Sequence, residues 1–145
     1  MMPTGSDTPS RTSASRRRTA PPPASKIANT SWNKPGRAAW SWWSKSDSPR
    51  HAEDLNAFTD LAAEMGWEYA LVDANWNLMQ SGTIEDVVAH AKAKNVGLLF
   101  WYNSGGLYNV VTERSRGLMD SRKVWRYEFE CLAKWGVKGV KIDFF

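Results

Sequence analysis

The sequence is poor in the residues that usually announce a metal or redox centre. Among 145 residues there are one cysteine, Cys131, and two histidines, His51 and His90. A single cysteine cannot close an internal disulfide, and no Cys-x-x-Cys or His-x-x-His spacing is present, which argues against a zinc site. No apolar run approaches the roughly 18 residues of a membrane span. The pair Arg16-Arg17 is followed by Thr19-Ala20-Pro21-Pro22-Pro23, where a twin-arginine signal needs an apolar core, so no signal peptide is predicted. The Gly-x-Gly-x-x-Gly fingerprint of dinucleotide folds is also missing. Localisation is left open by these absences.

Large apolar side chains are missing from the first 31 residues. That stretch holds only Met1, Met2 and Ile27 of this kind, with five of the seven prolines. Such a segment cannot bury enough surface to offset chain entropy, so residues 1–31 are expected to be disordered. It carries five of the 19 basic residues and one of the 15 acidic ones. The net charge of +4 and the pI near 9.3 therefore belong to the tail, and the rest of the chain is neutral. A basic arm can touch nucleic acid or an anionic surface. No aromatics interleave these arginines, which favours a solvated leader over a nucleic-acid partner.

From residue 32 onward, strand-like and helix-like segments alternate. Ala38 to Trp43 is the first strand candidate. Ser48-Pro49 has the form of an N-cap followed by proline at the first helical position, and Leu55, Phe58, Leu61, Ala62 and Met65 then recur at helical spacing up to Gly66. Tyr69 to Asp73 is an apolar run too short for a helix, hence a buried strand. Thr83 caps a second helix through Ile84, Val87, Val88 and Ala91 to Asn95, and Val96 to Tyr102 is a third strand. After a loop containing Gly105-Gly106, Asp120 is placed to cap a third helix bearing Trp125, Phe129 and Leu132, with Cys131 on its apolar side as a small core residue. Gly136 ends it, and Val137 to Phe144 is a fourth strand. The order β-α-β-α-β-α-β with short αβ turns predicts right-handed crossovers and a parallel sheet. The expected fold is α/β, the first half of a (β/α)8 barrel over residues 32–145, stopping after strand four.

In such barrels the C-terminal strand ends carry the chemistry. Here they present Trp40 and Trp42, then Asp73, Asn75 and Trp76, then Asn103, then Lys141 and Asp143. Flat aromatic faces and forked hydrogen-bonding groups are what sugars demand. Each residue also has a plainer reading. The tryptophans alternate on a strand and can be packing, Asp73 can cap the loop that follows it, and a Lys–Asp pair can be structural. Lys141 and Asp143 share one strand face.

The segments Lys34 to Ser44 (KPGRAAWSWWS), Leu61 to Asp73 (LAAEMGWEYALVD) and Gly136 to Phe144 (GVKGVKIDF) together resemble glycoside hydrolase family 97, which contains α-glucosidases and α-galactosidases. The Lys-x-Asp ending the fourth strand is also similar to the clan of retaining α-galactosidases. The resemblance implies a catalytic barrel between a β-sandwich domain and a small C-terminal β-domain, an α-glycoside or oligosaccharide substrate, and a periplasmic or extracellular setting. It also implies a calcium ion held mainly by glutamates that this chain lacks. Carried over, it makes Asp143 the nucleophile of the retaining branch, with Trp40, Trp42, Asp73, Asn75, Trp76, Asn103 and Lys141 around the sugar. No acid stands out as the general acid, although Glu113 lies in the third βα loop. Three readings stay open: part of an α-glycosidase, a remnant that only binds sugar, or a binding protein acting through the basic arm. Open barrel edges further predict self-association.

Overall fold

The computed structural model describes residues 33–105 and 109–144, and Pro35–Phe145 form one compact unit. The expectation for residues 1–31 lies outside the described residues. Four strands, β1 (Ala38–Trp40), β2 (Tyr69–Val72), β3 (Gly97–Asn103) and β4 (Gly139–Asp143), alternate with three helices, α1 (Ala52–Glu64), α2 (Ile84–Ala93) and α3 (Arg122–Trp135). All pairings are parallel and the spatial order is β1-β2-β3-β4. A doubly wound sheet would reverse direction at a switch point. This one never does, which is the winding of a barrel.

The repeat is written in the αβ turns. Each helix ends with a residue in the left-handed region, Gly66, Asn95 or Gly136, at φ of 62°, 56° and 82°. In each turn the following N–H reaches back five residues: Trp67 to Ala62, Val96 to Ala91, and Val137 to Leu132, at 2.8, 3.0 and 3.0 Å. This is the Schellman arrangement, used three times. The carbonyl residues Ala62, Ala91 and Leu132 are all buried, so each turn also docks its helix. At the start of β3, a Cβ on Gly97 would stand 2.8 Å from the Tyr69 ring, a separation only glycine allows.

Strand alternation divides the sheet into two faces. Ala39, Ala70, Val72, Leu98, Phe100, Tyr102 and Val140 turn toward the helices and join Leu55, Ala62, Val87, Ala91 and Leu132 in the core. The opposite face carries Trp40, Asp73, Trp101, Asn103, Lys141 and Asp143. The register that pairs Trp101 with Lys141 and Asn103 with Asp143 brings these together. Among the described residues, the outer edges of β1 and β4 have no strand partner, and no helix is long and apolar enough to cross a membrane.

Several local expectations need correction. β1 stops at Trp40, and Ser41–Trp43 form a 3-10 turn, so Trp42 is not a strand residue. Ser48 does not cap α1. Its hydroxyl donates to Ser41 Oγ at 2.8 Å inside the protein, while His51 occupies the N-cap without a side-chain capping bond. Ser121 rather than Asp120 precedes α3. On α1 the buried stripe is Ala52, Leu55, Thr59 and Ala62, leaving Leu61 and Met65 at 40% and 55% exposure. Cys131 is half-buried rather than a core residue, the fully buried position being its neighbour Leu132. Thr83 does cap α2, in a reciprocal box with Asp86.

Candidate active site

At the C-terminal end of the sheet, one ammonium joins two carboxylates. Lys141 Nζ lies 3.2 Å from Asp73 Oδ2 and 2.8 Å from Asp143 Oδ2. The same ammonium sits 4.6 Å from the centre of the Trp40 ring, a cation–π contact. Burial pulls the Lys141 pKa down, but its hydrogen bond to Asp143 and the charge of Asp73 outweigh that and leave it above the ordinary value. Burial likewise pushes the Asp143 carboxyl up, and hydrogen bonds from Lys141 and from the Trp101 indole overcome it, holding the acid below its ordinary value. Asp143 is therefore an ionised carboxylate at neutral pH, and it is only half-buried.

Asp73 is placed differently from Asp143. It is 3% exposed, and its Oδ1 accepts the Ala74 N–H at 2.7 Å while Oδ2 takes Lys141. In this geometry it anchors the lysine and starts the loop, and offers no oxygen to solvent. A buried carboxylate is tolerable only with such partners.

The loop residues knit the lip together. Asn75, with φ of 70°, exchanges hydrogen bonds with the Arg114 backbone, its Oδ1 accepting the Arg114 N–H at 2.9 Å. Asn103 is fully buried; its Oδ1 accepts from the Gly105 N–H at 2.8 Å and from Asn109 Nδ2 at 3.1 Å. Its own amide donates to the Glu113 carbonyl at 3.3 Å. Ser104 holds β4 from the next loop, its N–H and hydroxyl both donating to the Asp143 carbonyl, at 2.9 and 3.0 Å. Both asparagines thus shape loops with their side chains.

The tryptophans separate into two groups. Trp40 is stacked with Trp42 and Trp43, at centroid distances of 6.0 and 5.3 Å. Trp43, 74% exposed, is the most open indole of the three. Trp76 is not brought to the lip. It is buried edge-on against Phe100 at 4.8 Å, and its indole donates to the Trp101 carbonyl at 2.9 Å. The residue that sequence reasoning missed is Trp101, whose indole N–H donates to Asp143 Oδ2 at 2.8 Å. Alternation along β3 placed it on the same face as Asn103, but only the register across the sheet sets it beside Asp143.

Among the described residues no three His, Cys, Asp or Glu side chains converge on a point. The two acids at the lip share a lysine instead of forming an oxygen cage. These residues do not fit a calcium site.

No family model matches the chain. It is 31% identical over 135 residues to a protein of Streptomyces bingchenggensis named as a probable retaining α-galactosidase, covering 84% of this chain and 19% of that protein. The chain belongs to the glycoside hydrolases. A retaining α-galactosidase of Bacteroides thetaiotaomicron is 32% identical over 136 residues, covering 83% of this chain and 18% of that one. The crystal structure of a β-arabinopyranosidase superposes with a TM-score of 0.71 at 35% identity, over 76% of this chain and 18% of its own. This glycoside hydrolase chain thus spans about a fifth of the length of the curated relatives it matches.

Proposed function

We propose that this chain carries the nucleophile side of a retaining glycosidase site of the family 97 type, acting on galactose-configured α-glycosides, with Asp143 as nucleophile. The observation that carries the reading is the lysine-clamped, ionised Asp143 at the open end of β4. In the first step an oxygen of Asp143 forms a bond to the anomeric carbon as the bond to the leaving oxygen breaks. That oxygen takes a proton from a second carboxyl, about 5–5.5 Å from the first in retaining enzymes. Water then displaces Asp143, and the same carboxyl, now a base, takes its proton. Asp73 and Lys141 hold the nucleophile and its charge.

The names of the relatives support a galactose-configured substrate. A β-L-arabinopyranoside has the configuration of an α-D-galactopyranoside at C1 to C4 and differs in carrying hydrogen at C5 in place of the hydroxymethyl group. One pocket shape therefore accommodates both, whereas an α-glucoside inverts the C4 hydroxyl. A site built to hydrogen-bond a given hydroxyl rejects the wrong epimer strongly.

Glycosyl fluorides test this in the protein with its second carboxyl in place, because fluoride departs without acid help and that carboxyl then serves only as the base for water. The expected order of turnover is α-D-galactosyl and β-L-arabinopyranosyl fluoride well above α-D-glucosyl fluoride, with the retained anomer as the first product by NMR. A preference for the glucosyl fluoride, or an inverted first product, would overturn the proposal.

A further inference from the structure

The fold makes the two oxygens of Asp143 unequal. Oδ2 accepts a hydrogen bond from the Trp101 indole and is ion-paired with the Lys141 ammonium, both at 2.8 Å. Among the described residues, Oδ1 accepts none. The two donors differ in kind. Lys141 is a flexible point charge shared with Asp73 and the Trp40 ring, whereas an indole N–H is a single donor of fixed direction that stays protonated at every working pH. Trp101 is itself immobilised. It is 2% exposed, its carbonyl accepts the Trp76 indole, and its ring meets Phe144 edge-on at 6.0 Å.

We infer that Trp101 is a positioning residue, whose indole N–H locks Oδ2 of Asp143 and so presents Oδ1 as the oxygen that meets the substrate. The inference rests on the reading of Asp143 as nucleophile and adds which oxygen acts and what selects it. When Oδ1 is bonded to carbon, Oδ2 becomes the carbonyl oxygen of the ester and still accepts from the indole. One donor thus serves the carboxylate and the covalent intermediate alike. Lys141 supplies charge and Trp101 supplies direction, so losing the indole costs geometry while leaving the ion pair in place.

The test uses the chain labelled with 15N-tryptophan, in which the Trp101 indole signal is one of nine. Trp101→Phe identifies it by its disappearance. If that variant does not fold, Asp143→Asn identifies it instead, as the signal that ceases to titrate. The expected result is an indole resonance that moves as the pH falls through the carboxylate range, with its midpoint below that of an ordinary aspartate, and that is fixed in Asp143→Asn. In Trp101→Phe the Asp143 carboxyl, followed by its 13C shift, should titrate at a higher pH. A full set of indole signals indifferent to pH and to Asp143→Asn would overturn the inference. An indole that titrates with Asp143 while Asp143 variants keep normal turnover would instead sink the nucleophile reading, which separates the two failures.

Discussion

Replacing Lys141 by methionine keeps the length of the side chain and removes its charge. Asp73, 3% exposed, would then be a buried carboxylate with only the Ala74 N–H for company. Breaking a buried pair from one side costs about 3–5 kcal/mol when both partners are fully enclosed. The Lys141 side chain is 31% exposed against 4% for Asp73, so water recovers part of this, and a loss of about 2–3 kcal/mol follows. With a urea slope of about 2 kcal/mol per molar, the unfolding midpoint should fall by roughly 1 M. The pH dependence has a definite sign. The lysine, raised above 10.5, contributes fully below that value and is lost only as the pH rises through its higher folded pKa. Asp143, lowered from 3.8, contributes above that value and is lost as the pH falls through its folded pKa. The difference between wild type and variant should therefore be flat between roughly pH 5 and 9 and shrink in acid. Adding Asp73→Asn to Lys141→Met should recover part of the loss, since no charge is then stranded. Denaturation at fixed protein concentration reads the wild type and both variants. Equal midpoints at pH 7, or a deficit unchanged at pH 3, would refute the clamp.

Thr83→Ala should cost about 1 kcal/mol by removing the hydroxyl that accepts the Asp86 N–H at the start of α2, visible as a lower thermal midpoint. Its effect should not depend on pH in the Lys141 range, because the hydroxyl does not titrate. The open edges of β1 and β4 should make the chain associate as concentration rises; sedimentation that reports a monomer throughout would remove edge pairing from the account.

The sequence made the repeat legible because each unit closes on the same turn chemistry, with Gly66, Asn95 and Gly136 at one position of three αβ junctions. Helix periodicity over α2 and the apolar runs of β2 and β3 were equally direct. The misread features are those that tertiary contacts decide. Ser48 looks like a cap, but its hydroxyl found Ser41 across the loop. Trp42 continues a strand-like pattern, yet the chain turns at Ser41, whose carbonyl accepts the Ser44 and Lys45 N–H groups, and the ring of Trp40 stacks with both Trp42 and Trp43. At the site, Asp143 and Lys141 were readable from two-residue spacing within one strand. Trp101 was not, since its meeting with Asp143 depends on how β3 and β4 are offset, which no local pattern encodes. Trp76 shows the converse: a lip position in sequence whose ring folds back beneath Trp101 into the core.

The most direct test of the account is azide rescue at Asp143 with α-galactosyl fluoride. Asp143→Gly should lower turnover by a factor on the order of 10⁴ or more, as loss of a nucleophile does in other covalent enzymes. Azide should then restore the reaction and yield the β-galactosyl azide, the inverted product of a small anion entering the space the carboxylate left. Turnover near the wild-type rate in Asp143→Gly, or an azide adduct of the α configuration, would contradict the assignment.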